Sequence, residues 1–152
     1  LITLFNRNQQ QLESQPWPFE QLGLLLFKTP IKLATHEHLA NIKALDTSEL
    51  AYIADQATMA FKQNHAHLFC DNVNQYWQRL QAKKLTENTV SRWVEQCLLF
   101  PGIKAAKGCG ALGADVLLVL YDKTKCEINT LRNFATQQNL QCVADQNAIF
   151  NC

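Results

Sequence analysis

Apolar positions recur along this chain in two rhythms, short unbroken runs and steps of three or four residues, and their order predicts the elements. Residues 1–5 form a short apolar run with β character, and 6–11 are polar enough to turn the chain. Pro16 and Pro18 exclude 12–19 from a helix interior or a central strand, so that stretch reads as an edge segment with Trp17 at the margin of the core. The run 22–27 predicts a buried strand, stopped by Pro30. Leu39, Ile42 and Leu45 then follow Thr35 at helical intervals, with Thr47 or Ser48 capping the next helix.

Helical spacing continues over 48–84, where Leu50, Ile53, Ala57, Ala60, Phe61, Leu68, Val73, Trp77 and Leu80 share one face. A reach of that length predicts one break, near 64–67 or 70–72. Thr86 offers a cap for a further helix carrying Val90, Trp93, Val94 and Cys97, which Pro101-Gly102 ends. Two strands around a glycine loop come next, then a helix over 126–138 closed by Asn139, and a last strand over 140–144 continuing weakly through 148–150. From residue 22 the order is βαββαβ with an enlarged first crossover. This is an α+β fold, one antiparallel sheet with helices on one face. Residues 1–21 read as an N-terminal edge segment left from a preceding domain, and 22–152 as the domain itself.

Composition narrows the function classes. With 152 residues, 47% apolar and 18% charged, the chain buries a core without staples. A net charge of +1 with interspersed signs gives no footprint for nucleic acid, and no apolar run approaches the 20 residues needed to span a bilayer. The chain begins at Leu1 without a leader pattern, so the reading is a cytoplasmic piece of a longer protein. Six cysteines without C-x-x-C spacing read as reduced, buried thiols. His36-x-His38 and His65-x-His67 have the wrong spacing for a helical metal pair, so no metal is expected.

The chemistry concentrates in Lys107-Gly108-Cys109-Gly110-Ala111-Leu112-Gly113-Ala114-Asp115, which holds three of the five glycines. Gly108 to Gly113 matches G-x-G-x-x-G literally, yet a strand follows it where the dinucleotide fingerprint needs a helix, and no acid stands near position 134. What remains is strand, glycine loop, strand, with amides exposed to bind an anion or serving turn geometry alone. Lys107 supplies charge near the loop or is a solvated strand residue. Cys109 has no base beside it in sequence and reads as structural.

This stretch resembles the third conserved motif of the GHMP kinase superfamily, the galacto-, homoserine, mevalonate and phosphomevalonate kinases, roughly K-x-[ST]-G-A-G-G-G-[GD] followed by a strand. Cys109 stands where Ser or Thr is usual, and Leu112 where Gly is usual. The resemblance implies a ferredoxin-like C-terminal domain with extra helices in the first crossover. It also implies that Lys107, Gly108, Cys109, Gly110, Ala111, Gly113 and Asp115 form a phosphate- or substrate-facing loop, with Asp115 ordering the loop. Lys32-Leu-Ala-Thr35 loosely resembles a stretch bordering the family's substrate pocket, which makes Lys32, Thr35 and His36 substrate-binding candidates beside a helix N-terminus.

On this reading the chain is the substrate-side half of an ATP-dependent small-molecule kinase that phosphorylates an alcohol or phosphate group. ATP and Mg²⁺ are held mainly by an N-terminal domain of the same protein, and no catalytic residue is expected on 1–152. The chain alone is expected to be catalytically silent. The rival readings are a stand-alone ferredoxin-like module that binds a small anion, and a structural interaction domain.

Overall fold

The computed structural model describes residues 2–6, 10–33 and 46–146. The helix expected after Thr35 and the weak strand over 148–150 lie outside these residues. Strands β1 (Ile2–Asn6) and β2 (Gln11–Gln15) pair antiparallel as a two-stranded ribbon, with Ile2 opposite Gln15. The second strand therefore ends before Pro16, where proline would break the ladder. β3 spans Leu22–Lys28. It is followed by α1 (Ser48–Lys62), α2 (Ala66–Ala82) and α3 (Asn88–Leu98). Then come β4 (Ile103–Cys109), β5 (Val116–Asp122), α4 (Ile128–Gln137) and β6 (Gln141–Asp145).

The long helical reach breaks at the first of the two expected places, where Asn64 adopts a left-handed φ of 58° that ends α1. Asn139 does the same after α4, with φ 57°. The cap of α3 differs from the expectation. Glu87 is the capping residue, its carboxylate accepting from the Val90 amide at 2.9 Å, while Thr86 accepts from the Ser91 hydroxyl. An acidic group here also meets the positive end of the helix.

The four-stranded sheet has the order β4-β5-β3-β6, every neighbour antiparallel. With β3, β4, β5 and β6 as its four strands, this is the ferredoxin-like βαββαβ topology. Alternation sends Leu25, Phe27, Leu117, Val119 and Tyr121 to one face, where α3 contributes Val90, Trp93, Val94 and Cys97, and α4 contributes Leu131 and Ala135. Leu22, Leu24, Leu120 and Ala105 point to the other face.

That second face carries an aromatic cluster the sequence placed only at a margin. Trp17 is 7% exposed and meets Phe19, Phe61 and Phe69 edge-on, with centroids 5.1, 6.0 and 6.1 Å away. Its indole N–H donates to the Leu22 carbonyl at 2.8 Å, so the polar handle is satisfied while the ring is buried. Ile2 and Leu4 of the ribbon pack against the same cluster.

Helix α2 lies against β4 and serves both cores, giving Trp77 to one and Cys70 and Val73 to the other. From the same helix Asn74 reaches the strand twice. Its amide donates to the Lys104 carbonyl at 2.9 Å, and its oxygen accepts from the Ala106 amide at 3.3 Å. Among the described residues no helix is long and apolar enough to cross a membrane. Of the five cysteines described, all are free, and Cys142 is exposed rather than buried because its strand lies at the end of the sheet.

Phe61 joins α1 to the ring cluster, is 2% exposed, and has three aromatic neighbours. Phe61→Ala is expected to cost about 3–5 kcal/mol, the range for emptying a core aromatic site. Urea denaturation should show the midpoint falling without a change in slope.

Candidate functional site: the glycine loop between β4 and β5

The ladder between β4 and β5 reaches Cys109 opposite Val116, and the chain between them folds back through one 3₁₀ turn, Ala111–Gly113. Gly110 sits at φ 88°, ψ −165°, a region open in practice only to glycine. A Cβ there would also overlap the Asp115 carboxylate, which leans over the Gly110 Cα. Gly108 is required for a different reason, since a Cβ on it would overlap the Gly113 carbonyl. Leu112, standing where the kinase motif has glycine, has φ 50° and ψ 23°. The backbone at that position has kept a glycine-like conformation under a leucine side chain.

Inside the loop, the Asp115 amide donates to the Cys109 carbonyl at 3.0 Å, Gly113 to Gly110 at 3.0 Å, and Ala114 to Ala111 at 2.9 Å. Two external anchors hold it. The Glu87 amide donates to the Leu112 carbonyl at 2.9 Å, tying the loop to the start of α3. Buried Thr29, just past β3, donates its amide to the Asp115 carbonyl at 3.1 Å and its hydroxyl to the Ala114 carbonyl. The amides of Gly110, Ala111 and Leu112 donate to no acceptor among the described residues. Gly110 is exposed and Ala111 and Leu112 are half-buried. Successive backbone amides without an internal acceptor are donors of the kind that can take an anionic oxygen.

Around this loop, the other candidate residues are placed as follows. Lys107 leaves β4 toward the helices, its ammonium 4.8 Å from the centre of the Tyr76 ring. Cys109 is half-buried, and burial pushes its thiol pKa up while the Lys107 charge partly offsets the rise. Lys32 is exposed, three residues beyond Thr29 and hence close in sequence to the loop's anchor. Thr35 and His36 lie outside the described residues. His65 and His67 flank the start of α2. His67 Nδ1 is 2.9 Å from an Asp71 carboxylate oxygen one turn on, and among the described residues no group of three ligands gathers for a metal.

Sequence reasoning missed a cleft of about 340 Å³ where β4 begins and β5 ends, the opposite end of those strands from the loop. His67, Cys70, Asp71, Lys104 and Asp122 line it, with Lys104 Nζ 3.9 Å from an Asp122 oxygen. Only the His67–Asp71 spacing on α2 was visible in the chain. Bringing Lys104 and Asp122 to it required the tertiary fold.

No protein-family model and no curated protein matches the sequence. Solved structures do match. A phosphomevalonate kinase from Streptococcus pneumoniae aligns over 89% of this chain with a TM-score of 0.69 and 13% identity. A mevalonate kinase from Methanococcus jannaschii aligns over 90% with a TM-score of 0.67 and 12% identity. The L. major mevalonate kinase, solved with R-mevalonate, aligns over 90% with a TM-score of 0.62 and 16% identity. This chain shares their fold. It spans 42, 44 and 43% of their respective lengths, so it corresponds to less than half of each kinase. Both activities belong to the superfamily that the loop sequence resembles, and the ferredoxin-like architecture is the one that resemblance implied.

Two substitutions test the loop's construction. Thr29→Val removes the hydroxyl that serves a buried carbonyl and is expected to cost about 1–3 kcal/mol. Gly108→Ala forces backbone apart and is expected to cost a similar ~1–3 kcal/mol; chemical denaturation measures both. Thiol alkylation gives a separate reading. Of the described cysteines, Cys142 should be labelled first, and labelling of Cys109 should rise only at a more alkaline pH than for an ordinary thiol, because burial disfavours its thiolate. Buried Cys70 and Cys97, pushed up to about 12, should stay unlabelled until the fold is opened.

Proposed function

We propose that this chain is the loop-bearing half of an ATP-dependent small-molecule kinase, and that its glycine loop faces the phosphate or substrate in a site completed by an N-terminal domain of the same protein. The observation that carries this reading is the set of unclaimed amides at Gly110, Ala111 and Leu112, displayed on a fold shared with three kinase structures. Phosphoryl transfer depends on positioning and on neutralising oxygen charge. A preorganised turn of amides contributes to both without reorganising during the reaction.

The resemblance to the kinase motif supplies the role given to each residue. Gly108 and Gly113 let the two arms of the loop approach, and Gly110 supplies the turn that exposes the amides. Ala111 contributes an amide with only a methyl group above it. Cys109 fills the position of a hydroxyl residue without acting as a nucleophile. Asp115 orders the loop over Gly110. Lys107, one residue before the loop, has its ammonium over the Tyr76 ring, so in this reading the loop's attraction for an anion comes from its amides. Lys32, with Thr35 and His36, borders the acceptor.

The fit to the cofactors divides in two. The loop amides suit an anionic oxygen of a phosphate, whereas Mg²⁺ demands near-octahedral oxygen ligation. Asp115 is the one carboxylate within the loop, so the metal and most of the nucleotide belong to the other half of the enzyme.

The test uses the longer protein that carries both halves. It should transfer phosphate from ATP only when a suitable alcohol or phosphorylated alcohol is supplied. Ala111→Asp places a carboxylate among the amides at a position whose backbone tolerates a side chain, and it should lower kcat/KM at least tenfold with little change in Tm. Unchanged turnover in that variant contradicts the role of the loop. An intact protein that transfers phosphate to no alcohol contradicts the kinase reading itself.

A further inference from the structure

We propose that the groove between α1 and α2 is a second binding site, separate from the glycine loop, that takes a short aliphatic anion with its charged head on Lys107. The groove holds about 240 Å³ and is walled by Ile53, Ala54 and Ala57 of α1 and by Val73 and Tyr76 of α2. It exists because Ala54 and Ala57 present only methyl groups where α1 meets α2. A larger side chain at either place would fill it.

Lys107 turns this apolar slot into a site with a charge preference. It is half-buried, its ammonium lies over the Tyr76 ring, and it forms no ion pair with a carboxylate among the described residues. The ring face holds the cation in place but leaves its charge unneutralised. Stabilisation by an aromatic face is about 0.5–2 kcal/mol, and a hydrogen-bonded anion adds the stronger charge-assisted bond. Asn72 lines the same groove, with one amide hydrogen given to the Leu68 carbonyl at 2.7 Å and its remaining polar capacity available beside Lys107.

Size limits the ligand. At ~30 Å³ per water, the volume corresponds to roughly eight waters, below the ~300–1,000 Å³ of sites for drug-sized molecules. A carboxylate or phosphate on a chain of about six carbons satisfies both halves, the tail lying along Ile53, Ala57 and Val73. Free acid and phosphate monoester share this chemistry, and the probes below separate them.

The experiment is an NMR titration of the chain with hexanoate, hexyl phosphate, hexanol and inorganic phosphate. At least one of the two amphiphilic anions should shift the amides of Ile53, Ala57, Val73 and Tyr76, while hexanol and inorganic phosphate bind at least tenfold more weakly. Whichever anion binds more tightly names the head group. Lys107→Met should weaken that binding about tenfold, and Ala57→Leu should abolish it. Ala54→Leu provides the same block by a second route, with circular dichroism confirming that the blocked variants keep their helices and Tm.

Several results overturn the proposal: no shifts with either anion, hexanol binding as well as the anions, or inorganic phosphate alone saturating the groove. Retained binding in folded Ala57→Leu and Ala54→Leu does so too. Shifts of the same amides on raising protein concentration without ligand would give the groove to a second copy of the chain and refute the site. Because the readout is binding by this chain and not phosphate transfer, its failure leaves the kinase reading untouched, and failure of the kinase reading leaves this site in place.

Discussion

Thr29 is the point on which the arrangement of the loop depends. Its amide and hydroxyl serve the carbonyls of Asp115 and Ala114 in succession, so the end of β3 is bonded to the end of a loop more than 80 residues away in sequence. Burial makes this contact consequential, because a carbonyl withdrawn from water and left unpaired costs ~1–3 kcal/mol. With those two carbonyls fixed from one side and Leu112 fixed by Glu87 from the other, the 3₁₀ turn has little freedom left. The amides of Gly110, Ala111 and Leu112 therefore sit on a backbone fixed before any ligand arrives, which lowers the ordering cost of whatever they bind.

Much of the architecture was legible because it rests on local patterning. The unbroken apolar runs at 22–27 and 116–121 and the three-to-four-residue steps of the helices each encode an element type, and their order gives βαββαβ. The misplacements have tertiary causes. Trp17 read as marginal because prolines flank it, yet an extended chain held by those prolines lays the indole against Phe61 and Phe69, which arrive from 44 and 52 residues further on. Thr86 was the better intrinsic cap, but Glu87 is the residue whose own amide is taken by Leu112, and that bond sets where α3 begins.

The loop was legible in a more limited sense. Its glycines announced unusual backbone, and a family motif gave that backbone a chemical meaning. Nothing in the sequence says that Leu112 would adopt a left-handed conformation, since the strain is tolerated only because the neighbouring carbonyls and amides are already committed. The direction of Lys107 was equally hidden. A lysine before a glycine loop suggests charge at the loop, whereas the ring of Tyr76, thirty-one residues earlier on a helix, draws the ammonium toward the groove between α1 and α2.

The paired bonds of Asn74 to β4 bear on how this molecule behaves in a crowd. β4 is the outermost strand on its side, and an outermost strand is a template on which another polypeptide can add itself by backbone pairing. Asn74 occupies one acceptor and one donor at the middle of that template, in the way an incoming strand would. Loss of this single amide side chain would free one carbonyl and one amide on that edge for pairing with another chain.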